Sequence, residues 1–142
     1  MKKLLAISII LVALTGCGSK EVTCTRSTNQ TNLTMDVRYD VKYKGKYVTN
    51  EKRTEVLKTD DESIIKAYKA QLENIFENYK DLKYYETSIK VKDNTLTAYT
   101  DINYSKVDMK KLQKIDQTVT DEKIKLNDLL DAYKKLGFTC NK

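Results

Sequence analysis

Cys17, Cys24 and Cys140 are the three cysteines of the chain, and theirs is the chemistry most readily named from sequence. Cys17 ends the run Leu14, Thr15, Gly16, Cys17, which follows Lys2, Lys3 and an apolar stretch from Leu4 to Leu14 broken only by Ser8. A basic start, a short apolar core and small residues before a cleavage point are what an export signal requires. In exported lipoproteins a thiol in this setting takes a diacylglycerol group, and the chain is cut just before it. Cys17 is therefore expected to become the lipidated first residue of the mature protein, held on the outer face of the cell membrane. The alternative is a plain secretory signal that leaves Cys17 a free thiol. The apolar run is too short for a spanning helix, which takes about 20 residues. One acyl chain binds a bilayer only marginally, whereas two or three on one cysteine anchor stably.

Cys24 and Cys140 lie near opposite ends of the mature chain. An even pair in an oxidising compartment predicts a disulfide. Closing so long a loop is worth about 4.7 kcal/mol in the chain-entropy treatment. Two reduced thiols are the alternative.

The chain has no histidine. That removes the usual general base, the usual zinc ligand and the Ser-His and Cys-His nucleophile pairs. No CxxC pair, Gly-rich phosphate loop or metal-ligand cluster is present either. No catalytic residue and no metal site is assigned, and no cofactor is expected beyond the acyl lipid on Cys17. Asp60, Asp61 and Glu62 lack the spaced oxygens and central glycine of a calcium loop, and read as charge at a helix N-terminus. Glu73 and Glu77 lie one helical turn apart and read as an exposed flank.

Ten tyrosines are expected mostly to fill the core in place of Phe and Trp. Tyr84 and Tyr85 are neighbours at a strand, so they point to opposite faces and at least one can stack on a sugar or peptide. With the hairpin tips at Gly45 and Asn94 they form the candidate binding surface, expected on the side away from the membrane. Loss of Lys2 and Lys3 with the signal takes the net charge from +6 to +4, spread along the chain. That is a solvated surface and argues against nucleic acid as a partner. The bilayer, an envelope protein or an anionic wall polymer are the nearer partners.

The elements that must position these residues follow from periodicity. Residues 1–16 are the signal, residues 17–21 the lipidated cysteine and its tether, and residues 22–142 one domain. Val22 to Ser27 reads as a strand, with a turn at Asn29 and Gln30. Leu33, Met35, Val37, Tyr39, Val41 and Tyr43 alternate with polar residues, which predicts a half-buried antiparallel strand. A turn at Gly45 returns the chain through a strand from Tyr47 to about Leu57, whose polar middle, Asn50 to Arg53, suggests an edge or a bulge. Thr59 and Glu62 have capping-box spacing ahead of a long helix with Ile64, Ile65, Tyr68, Leu72, Ile75, Phe76 and Tyr79 on its apolar face. Tyr85 to Val91 and Leu96 to Tyr104 form a second hairpin around Asp93 and Asn94. A short helix from Ser105 or Lys106, a polar connector from Asp116 to Lys125 and a last helix bearing Leu126, Leu129, Leu130, Tyr133 and Leu136 complete the chain. Gly137 and Phe138 suit its C-terminal cap. The fold class is α+β, an antiparallel sheet of about five strands covered by one long helix and one or two shorter C-terminal helices.

The lipidation motif at Cys17, the start Thr23, Cys24, Thr25, the stretch Ile102 through Tyr104, Ser105, Lys106 and Asp108 to Leu112, and the ending Leu136, Gly137, Phe138, Cys140 together resemble the YehR-like lipoproteins. The resemblance implies a lipid-anchored α+β domain and transfers no catalytic residue. The connector from Asp116 to Lys125 carries no motif that aligns. The expected function is a non-enzymatic binding or accessory module that presents its sheet to an envelope partner. A second reading is a carrier of a small molecule or ion, with a pocket between the long helix and the sheet. A carboxylate-based enzyme would need two acids converging in one concavity.

Overall fold

Alternating side chains build a single sheet in the computed structural model, which describes residues 18–141; the expected signal, residues 1–16, and Cys17 lie outside them. The elements run β1 (Lys20–Gln30), β2 (Leu33–Lys44), β3 (Tyr47–Thr59), α1 (Glu62–Glu77), β4 (Tyr85–Lys92), β5 (Thr95–Ile102), α2 (Met109–Ile115), α3 (Leu126–Lys135) and β6 (Thr139–Asn141). All strand pairs are antiparallel, and the order across the sheet is β4-β5-β3-β2-β1-β6. Among the described residues no helix is long and apolar enough to cross a membrane.

The α+β class holds, with a sixth strand beyond the five expected. β6 has three residues, too few for a periodic signal, and pairs with β1 so that Cys140 stands opposite Cys24. The two sulfurs are bonded, across 116 residues of sequence. β1 starts earlier than expected, which shortens the tether to Gly18 and Ser19, and the turn falls at Thr31 and Asn32, not at Asn29 and Gln30. Asn32 takes the positive φ of 66° there.

The helix caps also differ. Asp61, not Thr59, caps α1 by accepting from Ser63 N at 2.8 Å; Thr59 is the buried last residue of β3. α2 begins at Met109 behind Asp108, later than Ser105 or Lys106, because Asp108 accepts from Lys111 N at 3.1 Å. α3 ends in a Schellman turn: Gly137 (φ 84°) donates to Lys134 O, and Phe138 donates to Tyr133 O. Leu136, expected to face inward, is the C-cap and is 60% exposed.

β3 is the largest departure. Its polar middle suggested an edge or a bulge; β3 lies between β2 and β5 in the centre of the sheet, so the edge is overturned and the bulge holds. A bulge is present, with the register shifting as Lys42 opposes Asn50 and Tyr43 opposes Val48, so Thr49 is the extra residue. The bulge shifts the parity of the strand and turns Glu51, Arg53 and Glu55 toward the helices.

The covered face then reads in cross-strand rows. Val22, Val41, Glu51, Ile102 and Tyr85 form one row; Cys24, Tyr39, Arg53, Thr100 and Thr87 form the next. α3 packs over the β1–β2 side with Val22, Val37, Val41, Leu130, Tyr133 and Phe138. α1 packs over the β3–β5 side through Leu57, Ile65, Leu72, Leu96 and Ala98. A third cluster, Leu82, Ile102, Val107 and Leu112, closes the corner below α1. Six strands about 4.8 Å apart span roughly 24 Å, while a helix with its side chains is about 10 to 12 Å across. Two helices placed over the flanks leave the middle of the sheet to the β3 charges.

Candidate functional site

Between α1, α3 and the connector from Asp116 to Lys125 a cleft of about 570 Å3 opens onto the inner face of β3. Its floor carries Glu51, Arg53, Thr100 and Ile102, and five tyrosines, Tyr39, Tyr79, Tyr85, Tyr104 and Tyr133, line it. Ile75 on α1 and Leu136 after α3 also line it and are exposed, at 40% and 60%. They give the mouth an apolar rim.

The strand row fixes the charged groups. Glu51 is only 7% exposed and leaves Oε2 without a partner. Burial pushes its carboxyl up to about 7, against the pull of Tyr133 and Arg53. Arg53 forms an ion pair with buried Glu55 and its guanidinium lies 5.5 Å from the Tyr39 ring centroid, while its Nε has no partner. Tyr68 on α1 donates to Glu55 Oε2 at 2.5 Å. Glu55 is thus paired on both sides; Glu51 is not.

The tyrosines come in stacked pairs. Tyr39 lies on Tyr133 at 4.3 Å, and Tyr79 lies on Tyr85 at 4.3 Å. Burial pushes the Tyr39 hydroxyl up to about 12 and raises those of Tyr85, Tyr104 and Tyr133 as well. All remain protonated donors at neutral pH, neither bases nor nucleophiles. On its floor the cleft offers an underused carboxylate and an underused guanidinium N–H, set among neutral hydroxyls and aromatic surface.

The candidate surface read from the sequence is not one surface. Gly45 and Asn94 lie at opposite ends of the sheet, because Lys20 opposes Tyr43 beside the Gly45 turn whereas Asn94 O accepts from Thr59 N at the other end. Gly45 therefore sits at the end where the described chain begins, not away from it. Asn141 opposes Thr23, so the last strand runs toward that end too. Tyr84 is 50% exposed with φ 66° and faces Lys106, while Tyr85 turns inward into the cleft. Glu73 and Glu77 are exposed and pair with Lys69 and Lys80. Among the described residues no group of three or more acidic or cysteine side chains is placed to hold a metal.

The outer face of the sheet pairs many of its polar groups internally. Arg38 binds Asp40 through Nε and Nη2, Thr23 donates to Asp40, Ser27 to Asp36, and Lys52 reaches Asp101. Glu51, Arg53 and Glu55 were missed in the sequence as site residues. The available signal was parity: Leu57, a plain core residue, is in step with Glu55, Arg53 and Glu51.

No family model and no curated protein matches the chain. Solved structures do. The NMR structure of the Escherichia coli YehR protein is similar at 25% identity and a TM-score of 0.60, over 88% of this chain and 94% of that one. An NMR structure of a protein from Streptococcus pneumoniae TIGR4 is similar at 16% identity and a TM-score of 0.59, over 99% and 96%. The chain has a YehR-like fold.

Proposed function

We propose that this protein is an exported module, lipid-anchored through Cys17, that binds a small ligand in the cleft over β3. The observation that carries this reading is the placement of Glu51 and Arg53. Folding normally keeps charges off the covered face of a central strand, since a buried ion without full pairing costs several kcal/mol. Here two such groups stand side by side, each with an unpartnered polar atom, under a cleft of the size that encloses small ligands.

The groups acting on the Glu51 carboxyl are Tyr133 and Arg53; Asp116, Asp121 and Asp128 share the cleft lining with it. The self-paired outer face supports a solvated surface more than a docking sheet. Glu51 lies four residues along β3 from Tyr47, so the cleft belongs to the end of the sheet where β1 begins. Anchored there, the site would lie close to the bilayer.

Thermal melts of the full-length protein in non-ionic detergent across a panel of small polar compounds test this. A ligand at 100 times its dissociation constant stabilises by about 2.7 kcal/mol. At least one compound should raise the melting temperature of the wild type and not that of Ala132→Trp, which fills the cleft from α3. A panel without any such compound would count against the reading.

A further inference from the structure

We propose that the ligand of this cleft is a small organic cation, a protonated or quaternary amine, seated on Glu51 among the tyrosine rings, with an oxygen acceptor directed to Arg53. The inference rests on the cleft being a ligand site and adds the chemical class of what it holds.

Three independent features point to a cation. The first is Glu51, which lines the cleft and whose buried Oε2 lacks any donor. An ammonium group supplies the opposite charge that buried carboxylates require. The second is local charge. Glu51, Asp116, Asp121 and Asp128 line the cleft against Arg53 and Lys125. Both of those cations already face carboxylates, Arg53 at Glu55 and Lys125 at Asp128. The cleft is therefore acidic in a chain whose net charge is +6. An anionic ligand would meet uncompensated carboxylates; a cation would not.

The third feature is the lining. Tyrosine rings attract cations through their faces, most strongly where water is excluded, and recognition of quaternary ammonium by aromatic cages uses this term. Five tyrosines line the cleft together with Glu51. A hard metal ion fits poorly, since calcium takes six to eight oxygen ligands and magnesium a near-ideal octahedron of six. Among the described residues no group of three or more acidic or cysteine side chains converges to hold one. The free Arg53 Nε–H adds a donor for a hydroxyl or carboxylate oxygen carried by the same molecule.

Isothermal titration of the full-length protein in non-ionic detergent, with tetramethylammonium, choline and cadaverine as probes, tests the proposal. The neutral isostere of choline, 3,3-dimethylbutan-1-ol, is the control, and acetate and glucose extend the panel to an anion and a sugar. At least one cation should bind the wild type, the isostere should bind at least tenfold more weakly, and Glu51→Gln should weaken the cation tenfold or more. Glu51→Gln keeps the shape of the floor and removes a buried charge, so its fold should be retained, which circular dichroism checks. If the isostere, acetate or glucose binds instead and the binding is lost in Ala132→Trp, the cation assignment is overturned while the cleft remains a ligand site. If nothing binds, or binding survives Ala132→Trp, both fall.

Discussion

Glu51 and Arg53 project from the same inner face of the central strand β3, two residues apart, and each keeps one polar atom without a partner, Oε2 and Nε respectively. Their neighbour Glu55, two residues further on, is satisfied by Arg53 and Tyr68. One strand thus carries a closed ion pair beside an open carboxylate.

Stability should record the open carboxylate. The Glu51 carboxyl is held near 7 when folded and near 4.5 when unfolded. Below about 4.5 both states hold the proton. Between these values the unfolded chain releases it while the folded chain keeps it, so stability falls as pH rises and levels off above 7. The penalty is about 3 kcal/mol at pH 8. Tyr133 from α3 and Arg53 on β3 are the groups that oppose it. Urea unfolding of Glu51→Gln against wild type should show little difference near pH 4.5 and a gain of about 2 to 3 kcal/mol at pH 8. A difference independent of pH would contradict this.

Removing Arg53 should act in the opposite direction. Arg53→Met leaves Glu55, only 4% exposed, with Tyr68 as its remaining partner. Breaking a buried pair from one side costs about 3 to 5 kcal/mol, and the 40% exposure of Arg53 places this case at the lower end. Tyr68→Phe should cost about 1 to 2 kcal/mol. Adding Glu55→Leu to Arg53→Met should recover most of the loss in urea titrations, and an unchanged loss would show that the pair is not what holds this part of β3.

The Cys24–Cys140 bond ties the three-residue β6 to the sheet. Intact mass after alkylation without reductant should show neither thiol modified. Reduction should lower stability by up to about 4.7 kcal/mol and remove hydrogen-exchange protection at Thr139 to Asn141 first. Protection that survives reduction would mean that strand pairing alone holds β6.

Anchoring is tested at Cys17. Cys17→Ser should abolish incorporation of labelled fatty acid and move the protein from the membrane fraction to the soluble one. Retention of the label in the variant would contradict lipidation at this residue.

Much of the sheet was legible because its apolar residues alternate: β2, the β4–β5 hairpin and the face of α1 follow period 2 or 3.6. The candidate site was not legible, for two physical reasons. Charges on the covered face of a central strand run against the burial rule, so Asn50 to Arg53 suggested an edge or a bulge, of which the bulge alone is present. The bulge at Thr49 then moved Glu51 onto the same face as Val48, which strict alternation would have separated. The connector from Asp116 to Lys125 has no periodicity, yet closes one side of the cleft. Gly45 and Asn94 could be recognised as turns, but only the strand register shows that they lie at opposite ends.

The most direct measurement is an amide NMR map of the full-length protein in detergent as the best-binding cation is titrated in. The shifts should concentrate at Glu51, Arg53, Thr100, Leu129 and Tyr133, and leave Thr25, Arg38 and Thr54 on the outer face unmoved. Shifts centred on the outer face or on the Asn94 hairpin would place binding elsewhere and contradict the account.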